Sequence, residues 1–258
     1  MRALELKKVS KSFGGIDAVK DVNLVINMGE SRALIGPNGA GKTTLFNLVT
    51  GEIRLDEGQI SLFGQDLTRQ PVQKRIELDL GRTYQTANLF LELTVQENLF
   101  LASWKMRTKL PSFLSTLFRP WRSFQNQCIH AKDIARRVGI EEKFDVPVSE
   151  LSHGEHRQLE LGITLAHEPK ILLLDEPMAG LSATERAFMT QLIIDLKPEM
   201  TVVIIEHDID VAFSIADQVS VLYQGSIIAE GTPDEIHANP HVQEIYILSR
   251  NANGTRHV

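Results

Sequence analysis

Several stretches of the chain show hydrophobic patterns that predict β-strands. Residues Ala3 to Val9 and Val22 to Ile26 alternate between apolar and polar side chains, which is typical of half-buried antiparallel strands. Residues Ile171 to Leu174 and Val202 to Ile205 are apolar without alternation, as in strands buried on both faces of a parallel sheet. A further short strand, Arg32 to Ile35, leads into a glycine-rich loop. These patterns predict an α/β fold with a mostly parallel sheet and an N-terminal antiparallel β subdomain.

Helical patterns complete this plan. Thr43 to Val49 predicts a helix directly after the glycine-rich loop, and the block from about Leu89 to His167 is helical, irregular and broken by prolines. Val219 to Tyr223 and Ser226 to Ala229 flank Gln224-Gly225 and predict a hairpin. We predict a single domain over residues 1–258, with an α/β core at 1–88 and 168–236, an inserted helical subdomain at 89–167, and a C-terminal helix and tail at 237–258.

Composition and charge narrow the possible functions. The formal net charge of −6 argues against non-specific binding to nucleic acid, which requires a positive surface. Cys128 is the only cysteine, so we expect neither a disulfide framework nor a cysteine zinc site, and this suits a reducing cytoplasm. The sequence shows no signal-peptide pattern and no apolar run of the ~18–20 residues that a transmembrane helix needs. If the protein serves a membrane, we expect another chain to span it.

The glycine-rich loop carries the pattern G-x-x-x-x-G-K-[ST], which binds phosphate groups. Its glycines let backbone N–H groups turn inward around phosphate oxygens, and the helix that follows presents an N-terminus that favours anions. In this pattern Lys42 reaches the β- and γ-phosphates and Thr43 holds Mg²⁺. The alternative is an ordinary glycine-rich turn between a strand and a helix. The residues of this phosphate loop are Gly36, Pro37, Asn38, Gly39, Ala40, Gly41, Lys42 and Thr43.

A pair of acidic residues, Asp175 and Glu176, follows the apolar run at Ile171 to Leu174. Ligands of open α/β sheets bind beyond the carboxyl ends of the strands. One carboxylate there can support Mg²⁺, and a second can orient and deprotonate water. An isolated pair would more often begin a solvated loop, but the phosphate loop upstream favours the catalytic interpretation. His207 follows the next apolar run and could hydrogen-bond a γ-phosphate, although an isolated histidine is more often structural.

A third candidate site begins at Leu151. Ser152 and Glu155 have the spacing of a capping box at the start of a helix, and Gly154 lies between them. A capped helix N-terminus beside a glycine can also bind an anion. Because the structural and the binding interpretations are compatible, Ser152, Gly154 and Glu155 are candidate nucleotide contacts.

Together these motifs resemble those of ABC transporter ATPases. The motifs are the phosphate loop, Gln85 in Thr83-Tyr84-Gln85, the signature Leu151 to Glu155, Leu172 to Pro177, and Glu206-His207-Asp208. The resemblance covers nearly the whole chain and implies a P-loop NTPase core that takes ATP and Mg²⁺. It also implies a head-to-tail dimer, in which each ATP lies between the phosphate loop of one subunit and the signature of the other.

The resemblance implies roles for the residues that bind phosphate and metal. Lys42, Thr43 and Thr44 would bind the phosphates and Mg²⁺. Asp175 would support the same Mg²⁺. Gln85 would sense Mg²⁺ and couple the site to a membrane subunit.

It also implies roles in catalysis and base recognition. Glu176 would be the general base and His207 the switch histidine, while Gln85 would complete the catalytic group. Phe13 matches the aromatic residue that stacks on adenine, with a core phenylalanine as the alternative.

The chain departs from the family pattern at three positions. The usual signature is L-S-G-G-Q, and here His153 and Glu155 replace its first glycine and its glutamine. A side chain at position 153 must point away from the nucleotide. Glu155 would add negative charge near the γ-phosphate unless its capping bond turns it aside. Ser182 stands where the family commonly has an aspartate that makes a contact across the dimer.

Within the family, the chain is similar to ATP-binding subunits of branched-chain (hydrophobic) amino-acid importers, and relatives that import urea, amides or aromatic acids share much of the pattern. This resemblance implies permease subunits, an extracytoplasmic solute-binding protein, a second ATPase subunit that is identical or paralogous, and a place on the cytoplasmic face of the bacterial inner membrane. The similar segments include Phe13-Gly14-Gly15, Gly81-Arg82-Thr83, Leu93-Thr94-Val95, Ala179-Gly180-Leu181 and Gly231-Thr232-Pro233 with Tyr246.

A soluble ABC ATPase is the alternative from another class. Repair members carry a long coiled coil between phosphate loop and signature, and the interval from Lys42 to Ser152 is too short for one. Translation members usually carry two cassettes in one chain. A soluble ATPase of cluster assembly stays open as the alternative.

The segment from Asn98 to Lys132 combines cations with aromatic side chains and has no acidic residue. It could be the solvated face of a helical lobe, or it could rest on a permease with its cations at anionic headgroups. The residues concerned are Lys105, Arg107, Lys109, Arg119, Arg122 and Lys132, with Trp104, Phe113, Leu114, Leu117, Phe118 and Trp121 between them.

Overall fold

The computed structural model describes residues 1–83, 89–103 and 124–246. Gln85, most of the basic aromatic segment (104–123) and the predicted tail beyond residue 246 therefore lie outside the described residues. The chain forms two compact units, one of Met1–Arg82, Lys170–Met178 and Thr190–Val258, the other of Thr83–Pro169 and Ala179–Met189.

The strands and helices that the sequence predicts occur in the predicted order, together with others that it does not predict. The strands are β1 (Arg2–Phe13), β2 (Ile16–Asn27), β3 (Ser31–Ile35), β4 (Glu57–Leu62), β5 (Gln65–Asp66), β6 (Leu80–Arg82), β7 (Ile171–Asp175), β8 (Thr201–Ile205), β9 (Gln218–Tyr223) and β10 (Ser226–Gly231). The helices are α1 (Lys42–Thr50), α2 (Val72–Ile76), α3 (Val95–Ala102), α4 (Gln125–Arg137), α5 (His153–Leu165), α6 (Ala183–Leu196), α7 (Ile209–Ile215) and α8 (Pro233–His237). Within the described residues, no helix has the length and apolarity needed to cross a membrane.

An antiparallel sheet forms the N-terminal part of the first unit, as the alternation predicts. Its strand order is β2-β1-β4-β5, and Leu6 on β1 lies opposite Leu24 on β2. Both strands are longer than predicted. The pairing register shifts between Leu6 and Val9 and again between Val9 and Lys11. These irregularities end the period-two pattern at Val9 while pairing continues to Phe13.

The second sheet of this unit is mostly parallel, with the order β10-β9-β3-β8-β7-β6. Every residue of β3, β7 and β8 is buried, which confirms the interpretation of the continuous apolar runs. β9 and β10 pair antiparallel and form the predicted hairpin. Strand β6 was not predicted, because its three residues include Gly81 and Arg82 and form no apolar run.

The second unit is helical, and α3, α4 and α5 pack against one another in it. Gly162 lies at their contact, where an added Cβ would approach Ile134 and Leu99 to 3.2 Å. The predicted subdomain, 89–167, lies inside this unit, but the unit also includes Ala179–Met189. Those residues are linked to α5 by the hydrogen bond from the Gly154 N–H to the Glu185 carboxylate.

Candidate active site

The phosphate loop connects β3 to α1 and packs closely against neighbouring backbone. A Cβ added at Gly36 would lie 2.1 Å from the Leu222 carbonyl oxygen, and one at Gly41 would lie 2.1 Å from the Ala18 carbonyl oxygen. Gly41 also has a φ of 104°, in the region that favours glycine. Both glycines are therefore required by close approach of the loop to β9 and β2, which fixes the loop in place.

Lys42 lies at the start of α1 with its side chain buried over the loop. Its Nζ donates hydrogen bonds to the carbonyl oxygens of Gly36, at 2.7 Å, and Pro37, at 3.1 Å. Burial lowers the pKa of Lys42, and the negative charges of Glu176 and Asp175 oppose that shift. The ammonium group thus lies among the loop and the acidic pair, where phosphate oxygens would be attracted to it.

Asp175 is the last residue of β7, and its two carboxylate oxygens differ. The Oδ2 atom accepts a hydrogen bond from Nη2 of Arg82 at 2.9 Å. The Oδ1 atom is buried and has no hydrogen-bond partner among the described residues. Burial raises the pKa of Asp175, and the Arg82 charge opposes this most strongly. An oxygen of this kind suits Mg²⁺ or a water bound to it, since Mg²⁺ prefers oxygen ligands.

Glu176 and His207 meet at the carboxyl ends of β7 and β8. The Glu176 N–H donates to the Ile205 carbonyl oxygen at 2.9 Å, and its backbone then adopts a φ of 51°. A left-handed conformation costs a residue with a side chain about 1–2 kcal/mol, and such strain concentrates at functional sites. The turn directs the carboxylate to His207, whose Nε2 lies 2.7 Å from Oε1. The structure therefore brings the predicted base and switch histidine together.

Glu206 is a buried residue of the site for which the sequence suggested no role. Its Oε1 accepts the Met178 N–H at 2.9 Å, and its Oε2 accepts the His207 N–H at 3.2 Å. Burial raises the pKa of Glu206, and these two amides oppose the shift. One carboxylate thus joins the loop after Glu176 to the loop that carries His207. The sequence signal that could have identified Glu206 is a charged residue directly after the buried run Thr201 to Ile205.

Phe13 ends β1 and is 47% exposed, which excludes the alternative of a core phenylalanine. The Lys11 ammonium lies 5.3 Å from the centre of its ring. Stacking of this ring on adenine stays a prediction.

The signature begins α5 in the second unit, and its capping box forms as predicted. The Ser152 side chain accepts the Glu155 N–H at 3.3 Å, and Glu155 Oε2 accepts the Ser152 N–H at 2.7 Å. Burial would raise the pKa of Glu155, but the hydrogen bonds from Ser152 and Lys143 outweigh it and lower the pKa. The capping bond therefore forms, and it holds the Glu155 carboxylate against the start of its own helix. His153 points to the neighbouring loop, with Nε2 3.3 Å from the Ala179 carbonyl oxygen.

Comparison with known proteins places these features in one family. A model described as "ABC transporter" matches residues 19–179, which is more than half of the chain. The chain belongs to the ABC transporter family. A second model, described as "Branched-chain amino acid ATP-binding cassette transporter", matches residues 226–247 of this family member.

Individual relatives cover almost the whole cassette. The High-affinity branched-chain amino acid transport ATP-binding protein LivG of Escherichia coli (strain K12) is 38% identical over 95% of this chain and 97% of its own length. The ADP conformation of MJ1267, an ATP-binding cassette of an ABC transporter, superimposes with a TM-score of 0.84 at 31% identity, over 96% of this chain and 99% of that one. A dimeric post-hydrolysis state of the cassette MJ0796, bound to ADP and Pi, gives a TM-score of 0.75 at 26% identity, over 89% and 98%.

Replacing Lys42 with alanine should weaken nucleotide binding by about 10–100-fold, because hydrogen bonds to charged groups contribute about 1.5–3 kcal/mol. Calorimetry with a non-hydrolysable ATP analogue measures this. Lys170→Ala is the control, since Lys170 lies at the amino end of β7 and pairs with Asp79. Equal affinity of Lys42→Ala and Lys170→Ala would contradict the assignment of the phosphate loop.

Proposed function

We propose that this chain is the ATP-hydrolysing subunit of an ABC importer for branched-chain amino acids or a related small solute. The observation that carries the ATPase is the contact of Glu176 with His207 beside the Lys42 ammonium, on a chain of the ABC transporter family. An acid, a histidine and a phosphate-binding lysine at one sheet edge supply what phosphoryl transfer to water requires.

In this proposal the phosphate loop and Thr44 bind the phosphates of ATP. Thr43 and Asp175 hold Mg²⁺ with help from Gln85, and Mg²⁺ when bound neutralises the charge of the β- and γ-phosphates. Glu176 orients the attacking water and accepts its proton. His207 leaves Glu176 to donate a hydrogen bond to the γ-phosphate.

The active form in this proposal is a head-to-tail dimer. Ser152, Gly154 and Glu155 of one subunit would close the site on the ATP held by the phosphate loop of the other. The capped start of α5 supports this, because a helix N-terminus favours an anion. The similarity to a cassette solved as a dimer supports it too. The partner ATPase is identical or a paralogue.

The proposed solute and partners rest on similarity along the full chain. LivG is named for branched-chain amino acid transport, and the second family model extends the match to residues 226–247. We infer that the chain works with integral membrane permeases and, through them, an extracytoplasmic solute-binding protein. It would then lie on the cytoplasmic face of the bacterial inner membrane. A soluble ATPase of cluster assembly is not favoured by these comparisons.

This function can be tested by measuring the uptake of solutes by cells that make the protein. Cells whose own gene carries Glu176→Gln should lose most high-affinity uptake of radiolabelled leucine, isoleucine and valine, because the importer would lack its general base. Uptake of radiolabelled lysine should not change and serves as the control. If leucine uptake were normal while uptake of another solute failed, the solute class would be wrong. Normal uptake of every solute tested would contradict an importer.

A further inference from the structure

We propose that Arg82 is a positioning residue that aims the free carboxylate oxygen of Asp175 at Mg²⁺. The inference rests on the proposed use of Mg²⁺ by the ATPase and adds a residue to it. It arises from a buried arginine at the end of β6 that none of the proposed catalytic steps employs.

The guanidinium group of Arg82 joins two parts of the first unit. Its Nη2 donates to Asp175 Oδ2 at 2.9 Å. Its Nη1 donates to Asn47 Oδ1 at 2.6 Å and to Glu52 Oε1 at 3.0 Å. Asn47 belongs to α1, and Glu52 follows that helix by two residues. One planar group therefore fixes the Asp175 carboxylate relative to the helix that begins with the phosphate-binding residues.

The geometry explains why only one oxygen of Asp175 is left free. Arg82 holds Oδ2, while Oδ1 is buried without a hydrogen-bond partner among the described residues. A carboxylate held at one oxygen cannot rotate freely, so its other oxygen keeps a fixed direction. Outer-shell partners of this kind orient metal-binding groups.

Charge supports the same role. The side chains of Arg82 and Asp175 are 6% and 1% exposed, so an unpaired Asp175 carboxylate would be costly to keep ionised. The Arg82 cation offsets that cost. Glu52 in turn pairs with Arg82 at 3.0 Å.

Stability alone does not account for this arrangement. Replacing a buried ion pair with apolar residues is often neutral or stabilising. The chain also offers a comparison in Arg75, which is buried against the carboxyl end of α1. Arg75 donates to the backbone carbonyl oxygens of Leu48, Val49 and Gln70, at 2.6–3.0 Å. Arg75 therefore caps the helix, whereas Arg82 is directed to a site carboxylate.

The test measures nucleotide binding by calorimetry as a function of Mg²⁺, with a non-hydrolysable ATP analogue. Arg82→Lys keeps the charge but has a single ammonium group, which cannot bridge Asp175 and α1 in the same way. The Mg²⁺ midpoint is the Mg²⁺ concentration that gives half of the full gain in affinity for the analogue. We expect this midpoint to rise by about 10–100-fold, the usual range for outer-shell partners. Affinity for the analogue in EDTA should stay at the wild-type value.

Arg75→Lys is the matched control, and it should lower the thermal unfolding midpoint without moving the Mg²⁺ midpoint. Asn47→Ala removes one anchor of Arg82 and should shift the Mg²⁺ midpoint in the same direction as Arg82→Lys. If Arg82→Lys does not fold, Asn47→Ala takes its place in the test. If the Mg²⁺ midpoint is unchanged in Arg82→Lys, the positioning role of Arg82 is overturned. The same result in Asn47→Ala overturns it when that variant is the substitute. Absence of any Mg²⁺ effect in the wild type would instead contradict the proposed use of Mg²⁺.

Discussion

Glu176→Gln should slow ATP hydrolysis by about 10²–10⁴-fold, the usual contribution of a general base. Glutamine has nearly the same shape as glutamate but cannot accept the proton of the attacking water. The Glu176 carboxylate lies 2.7 Å from His207 and close enough to Lys42 to affect its pKa. The phosphate loop itself is unaltered by the change, so ATP binding should remain.

Single-turnover hydrolysis and equilibrium binding of ATP measure the two halves of this prediction. Glu199→Gln makes the same chemical change at an exposed position before β8, on the amino side of the strand, and should hydrolyse ATP normally. A Glu176→Gln variant that hydrolyses ATP near the wild-type rate would show that another group accepts the proton.

Ser152→Arg should abolish hydrolysis while each single chain still binds ATP. Ser152 caps α5 in the second unit, and the phosphate loop belongs to the first. In the proposed dimer, a long cation at position 152 would enter the site of the partner chain and prevent closure on its ATP. Loss of the cap alone is expected to cost only about 0.5–2 kcal/mol, which does not abolish activity in a stable domain.

Light scattering with ATP, in chains that also carry Glu176→Gln, measures whether Ser152→Arg prevents the dimer. The matched control is Thr94→Arg, because Thr94 caps α3 in the same unit with the same capping box, formed with Glu97. If Ser152→Arg and Thr94→Arg lost activity to the same extent, loss of the cap would be the cause. Normal hydrolysis by Ser152→Arg would contradict a shared site.

The site could be predicted from sequence where neighbouring residues determine its chemistry. The phosphate loop, the acidic pair after an apolar run and the capping box at Ser152 each depend on a few adjacent residues, and each has the predicted local structure. The alternation in β1 likewise predicted an antiparallel strand, although its bulges hid the extension to Phe13. Short pairing segments such as β6 carry no comparable pattern, and they were missed.

By itself, the sequence determined which segments carry phosphate-binding, acidic and capping groups, because spacing within one loop or turn is enough for that. Only the tertiary structure decided which distant side chains meet. Arg82 and Asp175 are 93 residues apart, Glu176 and His207 are 31 apart, and Met178 and Glu206 are 28 apart. These pairs meet because β6, β7 and β8 are neighbours in one sheet. Strand order is set by packing of the whole core, and similar apolar runs do not encode it.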